Sequence, residues 1–379
     1  MSHPYEDTKM NLDFTEEQDM LRDTVRGVCS ELSTPEVVRA MEDDPKGYPE
    51  DLWKQFAELG LTGIVIPEQY GGSDMSIMEA AIAYEEMGRA LAPTPHFHSA
   101  FLSAKVLLAT GTEDQKNTWL PKIASGDAVL TPAWLEPHNS FGPKGVQIRA
   151  VASGDDFTIS GTKMHVHFAS ASARMLVLAR TGDAETDISI FLVDPQAKGV
   201  KLTQLESLAS DTQYRVDFDG VKVSKADVVG DWASFQAAMY EGIILLAALA
   251  VGGSQQALDI TCEFAKEREQ FDKPLAAFQA ISHYLADAST NVAGARTLMY
   301  EAAWAAEVGK PVDRLAPMAK LFACQTYRDL TAMAEQVFGG VGFTVEYDIQ
   351  LYFRRAKQLQ ITWWDTAHLE EQIATAVLD

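Results

Sequence analysis

A double change of hydrophobic period constrains this chain more than any other feature. From about residue 14 to 125, apolar residues recur at helical spacing, as in IMEAAIAYEEMGRAL (77–91). Thr15-Glu16-Glu17-Gln18 and Ser76-Ile77-Met78-Glu79 both fit the capping box that opens a helix. Near residue 126 the period drops to two. VQIRAVAS, DFTISGTKMHVHF, ARMLVLART, DISIFLVD and YRVDFDGVKV are short β-rich runs separated by turn residues. After Trp232 the helical period returns. Four segments run at about 236–268, 277–308, 314–338 and 344–361, broken at Lys273-Pro274, Pro311 and Gly339-Gly340. One core rarely covers 379 residues. The order predicts an α+β multidomain fold with three parts: an N-terminal α-helical domain (1–125), a middle antiparallel β domain (126–232) and a C-terminal four-helix bundle domain (233–379).

The formal charge, 31 − 54 = −23, repels phosphate backbones and anionic lipid. Nucleic acid and membrane are therefore not expected as partners, although an anionic ligand can still sit in a locally basic pocket. Cys29, Cys262 and Cys324 are odd in number and widely spaced. They read as reduced thiols of a cytoplasmic protein, with no disulfide frame and no metal-ligand spacing. The start, MSHPYEDTKMNLDF, lacks the apolar stretch of a signal peptide. GIILLAALAVGG (242–253) is too short a run to span a bilayer and reads as a buried helix.

Three stretches carry candidate chemistry. In EQVFGGVGF (335–343), Gly339, Gly340 and Gly342 stop a helix and leave backbone that a ligand can approach. In AKEREQFDKP (265–274), Arg268 and Phe271 offer a guanidinium for phosphate and a ring for an aromatic group. LTPAWLEP (130–137) and GTKMHVHF (161–168) are two strands suited to one wall of a cleft. Taken singly, the first two read as a helix C-cap and a solvated charged helix end.

Together and in this order, along nearly the whole chain, they resemble the acyl-CoA dehydrogenase family. IVIPEQYGGSDMSIMEAAIAYEEMGRALAP, GTK, FDGVKV, AVGGSQQALD, REQF, FQAI and FGGVGFTVEYDIQLYFRRA carry the resemblance. It implies helical, β and helical-bundle domains, with FAD between the last two and an acyl-CoA thioester as substrate. An electron-transfer flavoprotein or equivalent acceptor and a homo- or hetero-tetramer of homologous subunits are further implied. Arg268 and Phe271 match the FAD pyrophosphate and adenine contacts, and Gln336, Gly339 and Gly340 match a segment touching the FAD of an adjacent subunit. Leu135, His165 and His167 match positions beside the isoalloxazine ring, where the family usually has Thr, Trp and Thr or Ser. Asp272 replaces a usual Gly.

The family reaction removes an α-proton from the thioester while the β-hydrogen leaves as hydride, and it needs a carboxylate base. The resemblance puts that Glu at Trp363, or at Trp364 with a one-residue gap. Its alternative position is Gly242, next to Glu241, which is the candidate catalytic residue of this chain. Asp365 is a further carboxylate nearby. Two readings follow. One is an FAD-dependent acyl-CoA dehydrogenase whose base is Glu241. The other is a catalytically silent, FAD-supporting subunit of a heteromeric enzyme, as in bacterial steroid catabolism, whose partner supplies the Glu.

Overall fold

The computed structural model describes residues 10–138, 140–209 and 211–378. The chain forms α1 (Glu16–Leu32), α2 (Pro35–Ala40), α3 (Glu50–Glu58), α4 (Ile77–Arg89), a π-helical turn (Phe97–Ser103), α5 (Ala104–Thr110) and α6 (Glu113–Ala124). Strands β1 (Leu130–Ala133), β2 (Arg149–Ser153), β3 (Asp156–His167), β4 (Arg174–Arg180), β5 (Ile188–Val193), β6 (Val200–Leu205), β7 (Gln213–Ser224) and β8 (Val228–Asp231) follow. Next come α7 (Trp232–Glu267), β9 (Glu269–Gln270), β10 (Lys273–Pro274), α8 (Gln279–Glu307), α9 (Leu315–Phe338), α10 (Ile349–Ile361) and α11 (Thr366–Leu378). The chain divides into two compact units.

One unit comprises residues 10–36, 77–92 and 243–378 and is helical apart from the β9–β10 hairpin. The Thr15 box forms: the hydroxyl accepts from Gln18 N, and the Gln18 amide oxygen accepts from Thr15 N. α1 is pinned to α4 by Arg26, whose Nε and Nη2 reach both oxygens of buried Glu86 at 2.8 and 2.7 Å. From α8, Arg296 and Tyr300 donate to Glu85. The AVGG stretch has a packing reason. A Cβ on Gly252 would lie 1.8 Å from the Glu85 carbonyl oxygen, so α7 and α4 meet backbone to backbone. The apolar run found in the sequence belongs to a 36-residue helix that is long and apolar enough to cross a membrane, yet 72% of its most apolar window is buried in the protein.

The other unit comprises residues 37–76, 93–138, 140–209 and 211–242 and is built on one sheet of order β6-β7-β3-β2-β4-β5-β8. Most pairs are antiparallel, but β1 runs parallel to β4, and β2 touches β4 through one parallel bridge, Arg149 to Arg180. Period-two patterning places residues on faces and says nothing of strand direction. Ile159, Val166, Met175, Val177, Phe191, Val216 and Val221 fill the core beneath the sheet. α3, α5 and α6 belong to this unit as well.

His96 is buried there, its Nε2 donating to the Leu61 carbonyl at 2.8 Å. Burial pushes the imidazole down to about 4, partly opposed by that hydrogen bond. As pH falls below about 6.5, the unfolded chain takes up a proton that folded His96 refuses until about pH 4. Stability is full above that window and declines through it by about 3 kcal/mol, at about 1.36 kcal/mol per pH unit. His96→Gln keeps a donor for Leu61 and should flatten the urea midpoint between pH 4 and 6.5. An unchanged acid slope would show that other groups set it.

Candidate functional site

In the helical unit, α7 ends at Glu267 and hands over to a two-residue hairpin. Gln270 pairs with Lys273 and Glu269 with Pro274, leaving Phe271 and Asp272 as the turn. Both have positive φ, 53° and 58°, as a turn matched to strand twist requires at its two central positions. This accounts for Asp272. Gly is best in left-handed backbone, and Asp is among the few other residues that tolerate it. Phe271 is thrust outward, 86% exposed, and the Arg268 side chain is also exposed.

α9 ends nearby. Phe338 stacks on Phe264 of α7, with centroids 4.0 Å apart and planes 15° apart, and Phe264 O accepts the Arg268 N–H. Gly339 follows at φ 67°, ψ −144°, a conformation that excludes side chains. A Cβ on Gly340 would meet nothing within 4 Å, and Gln336 is exposed. Arg268, Phe271, Gln336, Gly339 and Gly340 are thus gathered around the adjoining ends of α7 and α9. Phe343 and Val345 beyond them are 69% and 72% exposed. Glu335, which the sequence reading missed, is buried here with no hydrogen-bond partner for its carboxyl among the described residues, and burial raises that carboxyl to about 7.

Trp363 and Trp364 lie farther along the same unit, 5% and 2% exposed. They form the turn between α10 and α11, with φ of 51° and 73°. Lys320 of α9, fully buried, donates to the carbonyls of Leu359 (2.9 Å), Thr362 (3.1 Å) and Trp364 (2.8 Å). Asp365 caps α11, its Oδ1 accepting from His368 N. These residues are core and cap.

In the sheet unit, half-buried Leu135 is fixed by its carbonyl, which accepts from Met164 N. Buried Glu136 accepts from Gln147 N, Ile148 N and Lys163 Nζ. Burial brings the Lys163 ammonium down to about 8 against the attraction of Glu136. The β3–β7 register slips between Lys163 and Val166, and His165 sits in the slip with φ 54°. The slip leaves His165 exposed and sends His167 inward. His167 bonds Asp211 Oδ2 at 3.0 Å and stacks on buried His98, with ring centroids 4.5 Å apart. Burial holds His98 well below the usual histidine range.

Glu241 also lies in this unit, its carboxylate 2.8 Å from Lys105 Nζ, with both side chains 29% exposed. Gly242 presents elsewhere: a Cβ there would meet Phe97 at 3.3 Å and Phe101 at 3.7 Å. One helical step is about 100°, and the two positions face different neighbours accordingly.

Comparison with known proteins identifies the family. Three family profiles match: acyl-CoA dehydrogenase N-terminal domain over residues 15–127, middle domain over 133–221 and C-terminal domain over 232–378. YngJ of Bacillus subtilis (strain 168), named as a probable acyl-CoA dehydrogenase, is 34% identical over 93% of this chain and 95% of its own. Butyryl-CoA dehydrogenase from Megasphaera elsdenii superposes with a TM-score of 0.88 at 28% identity, covering 98% of this chain and all of the other. A chain of the ChsE4-ChsE5 complex from Mycobacterium tuberculosis gives 0.90 at 25% identity, covering 98% and 99%. This chain belongs to the acyl-CoA dehydrogenase family, FAD-dependent oxidoreductases acting on the CH–CH bond of acyl-CoA thioesters.

Proposed function

We propose that this chain is the FAD-supporting subunit of an acyl-CoA dehydrogenase assembly in which a homologous chain supplies the proton-abstracting carboxylate. One observation carries the reading. Both positions where the family places its Glu are occupied otherwise: Trp363 and Trp364 form a buried turn, and a side chain at Gly242 would point at Phe97 and Phe101. Glu241, the rival base, is tied to Lys105, its carboxylate 2.8 Å from that residue's Nζ. The ChsE4-ChsE5 structure, a complex of two differently named chains, is a relative of matching fold.

The residues present fit FAD. Arg268 offers an uncovered guanidinium for the pyrophosphate, Phe271 an uncovered ring for the adenine, and Gly340 a backbone that no Cβ shields. Gln336 and Gly339 complete the contact, toward the flavin of an adjoining subunit. The exposed Phe343 and Val345 are the kind of apolar surface that a second subunit covers. Bound FAD supplies the hydride acceptor. Acyl-CoA is the substrate, and an electron-transfer flavoprotein or equivalent reoxidises the assembly.

Arg268→Ala should weaken FAD binding about 10- to 100-fold, since a charge-assisted bond worth about 1.5–3 kcal/mol is lost. The check is flavin retained per chain after gel filtration. Full retention would remove Arg268 from the site. The subunit reading itself is tested by turnover of the chain alone against turnover with a Glu-bearing homologue. An equal rate in the two would sink it.

A further inference from the structure

We propose that Gln213 and Asp211 are positioning residues that fix the tautomer of His165, so that its Nε2 faces outward as the ring atom that meets a ligand. Gln213, opposite His167 in the β3–β7 ladder and 6% exposed, bridges two groups. Its amide nitrogen donates to Asp211 Oδ2, and its amide oxygen lies 2.7 Å from His165 Nδ1. The orientation of that amide follows from Asp211. This side chain is 9% exposed and also receives hydrogen bonds from Ser207 Oγ and His167 Nε2. Burial alone would raise its carboxyl. The bonds from His167, Ser207 and Gln213 outweigh that effect and hold it below the usual carboxylate range.

An ionised carboxylate only accepts, so the NH₂ end of Gln213 faces Asp211 and the carbonyl end faces His165. A carbonyl only accepts in turn, so His165 Nδ1 carries the hydrogen. Nε2 is then a lone pair on the neutral ring and an N–H donor on the protonated one. The register slip that lifts His165 out of the ladder, at φ 54°, leaves the ring exposed. A ligand with an N–H or a carbonyl on a planar edge suits such an atom. Identifying that ligand as the flavin ring rests on the proposed function above.

The test is nuclear magnetic resonance of the full-length chain labelled at its histidine ring nitrogens, with His165→Gln used to assign the signal. The expected result is the Nδ1–H form for His165. In Gln213→Leu it should give way to the Nε2–H form that free histidine prefers in water. Asp211→Asn, which frees the Gln213 amide to turn over, should produce a mixture. An Nε2–H ring in the native chain, or an Nδ1–H ring that survives Gln213→Leu in a folded protein, overturns the positioning roles. Added FAD should shift the Nε2 resonance. If the tautomer is as expected and FAD leaves Nε2 unmoved, flavin is overturned as the ligand, while the roles of Gln213 and Asp211 stand.

Discussion

Replacing Lys320 with methionine should cost about 2–4 kcal/mol of stability, read as a lower urea midpoint of the full-length chain. Lys320 is fully buried, and its ammonium is shared among the carbonyls of Leu359, Thr362 and Trp364. Methionine fills similar space and donates nothing. The Leu359 carbonyl keeps the Cys324 thiol as a donor at 3.5 Å, whereas a buried carbonyl left without a partner costs about 1–3 kcal/mol. Two backbone positions held in left-handed conformation by bulky residues, Trp363 and Trp364, add strain of about 1–3 kcal/mol each, which only surrounding structure can maintain. Against these stands the relief of no longer burying a cation, whose burial already lowers the Lys320 ammonium from its ordinary value. The acceptors outnumber the donor, so the net effect is destabilising. The α10–α11 turn should loosen first, visible as faster amide exchange of the residues from Thr362 to Asp365. A midpoint equal to that of the native chain would show that Lys320 does not hold the turn.

The Trp pair shows what a linear reading reaches and where it stops. That the resemblance puts tryptophans at the position of the family's Glu follows from counting along the chain. Their fixation by Lys320 does not, because that residue lies on another helix and its ammonium is an unlikely core group until three carbonyls converge on it. The same division runs through the hairpin. Arg268 and Phe271 are recognisable in REQF, whereas Asp272 reads only as a departure from the family's usual Gly until its φ of 58° shows a backbone requirement. In the sheet, alternation predicts His165 and His167 on one face. The register slip between Lys163 and Val166 separates them, one exposed and one buried against Asp211 and His98. Asp211 and Gln213 had no signal in the sequence, since a slip in pairing, not a spacing, brings them to the histidines. The change of period at residues 126 and 232 survived because it rests on many residues at once.

The chain alone should turn over acyl-CoA about 10²–10⁴-fold more slowly than the same chain joined to a homologue bearing the Glu, the usual contribution of a positioned general base. Indole N–H only donates, so neither Trp363 nor Trp364 can take the α-proton, and both are packed inside the helical unit. Asp365 is engaged as the cap of α11. That leaves Glu241. Its carboxylate lies 2.8 Å from Lys105 Nζ, one helical step from the position that faces Phe97 and Phe101. Freeing it as a base would require breaking that pair and turning the helix by about 100°. Glu241→Gln should therefore leave the turnover of the joined assembly unchanged within about twofold, since a pair this exposed contributes about 0–1 kcal/mol. The measurement is reduction of an artificial electron acceptor with FAD content monitored in parallel. If the isolated chain is active and Glu241→Gln abolishes that activity while FAD stays bound, Glu241 is the base and the chain is a complete enzyme.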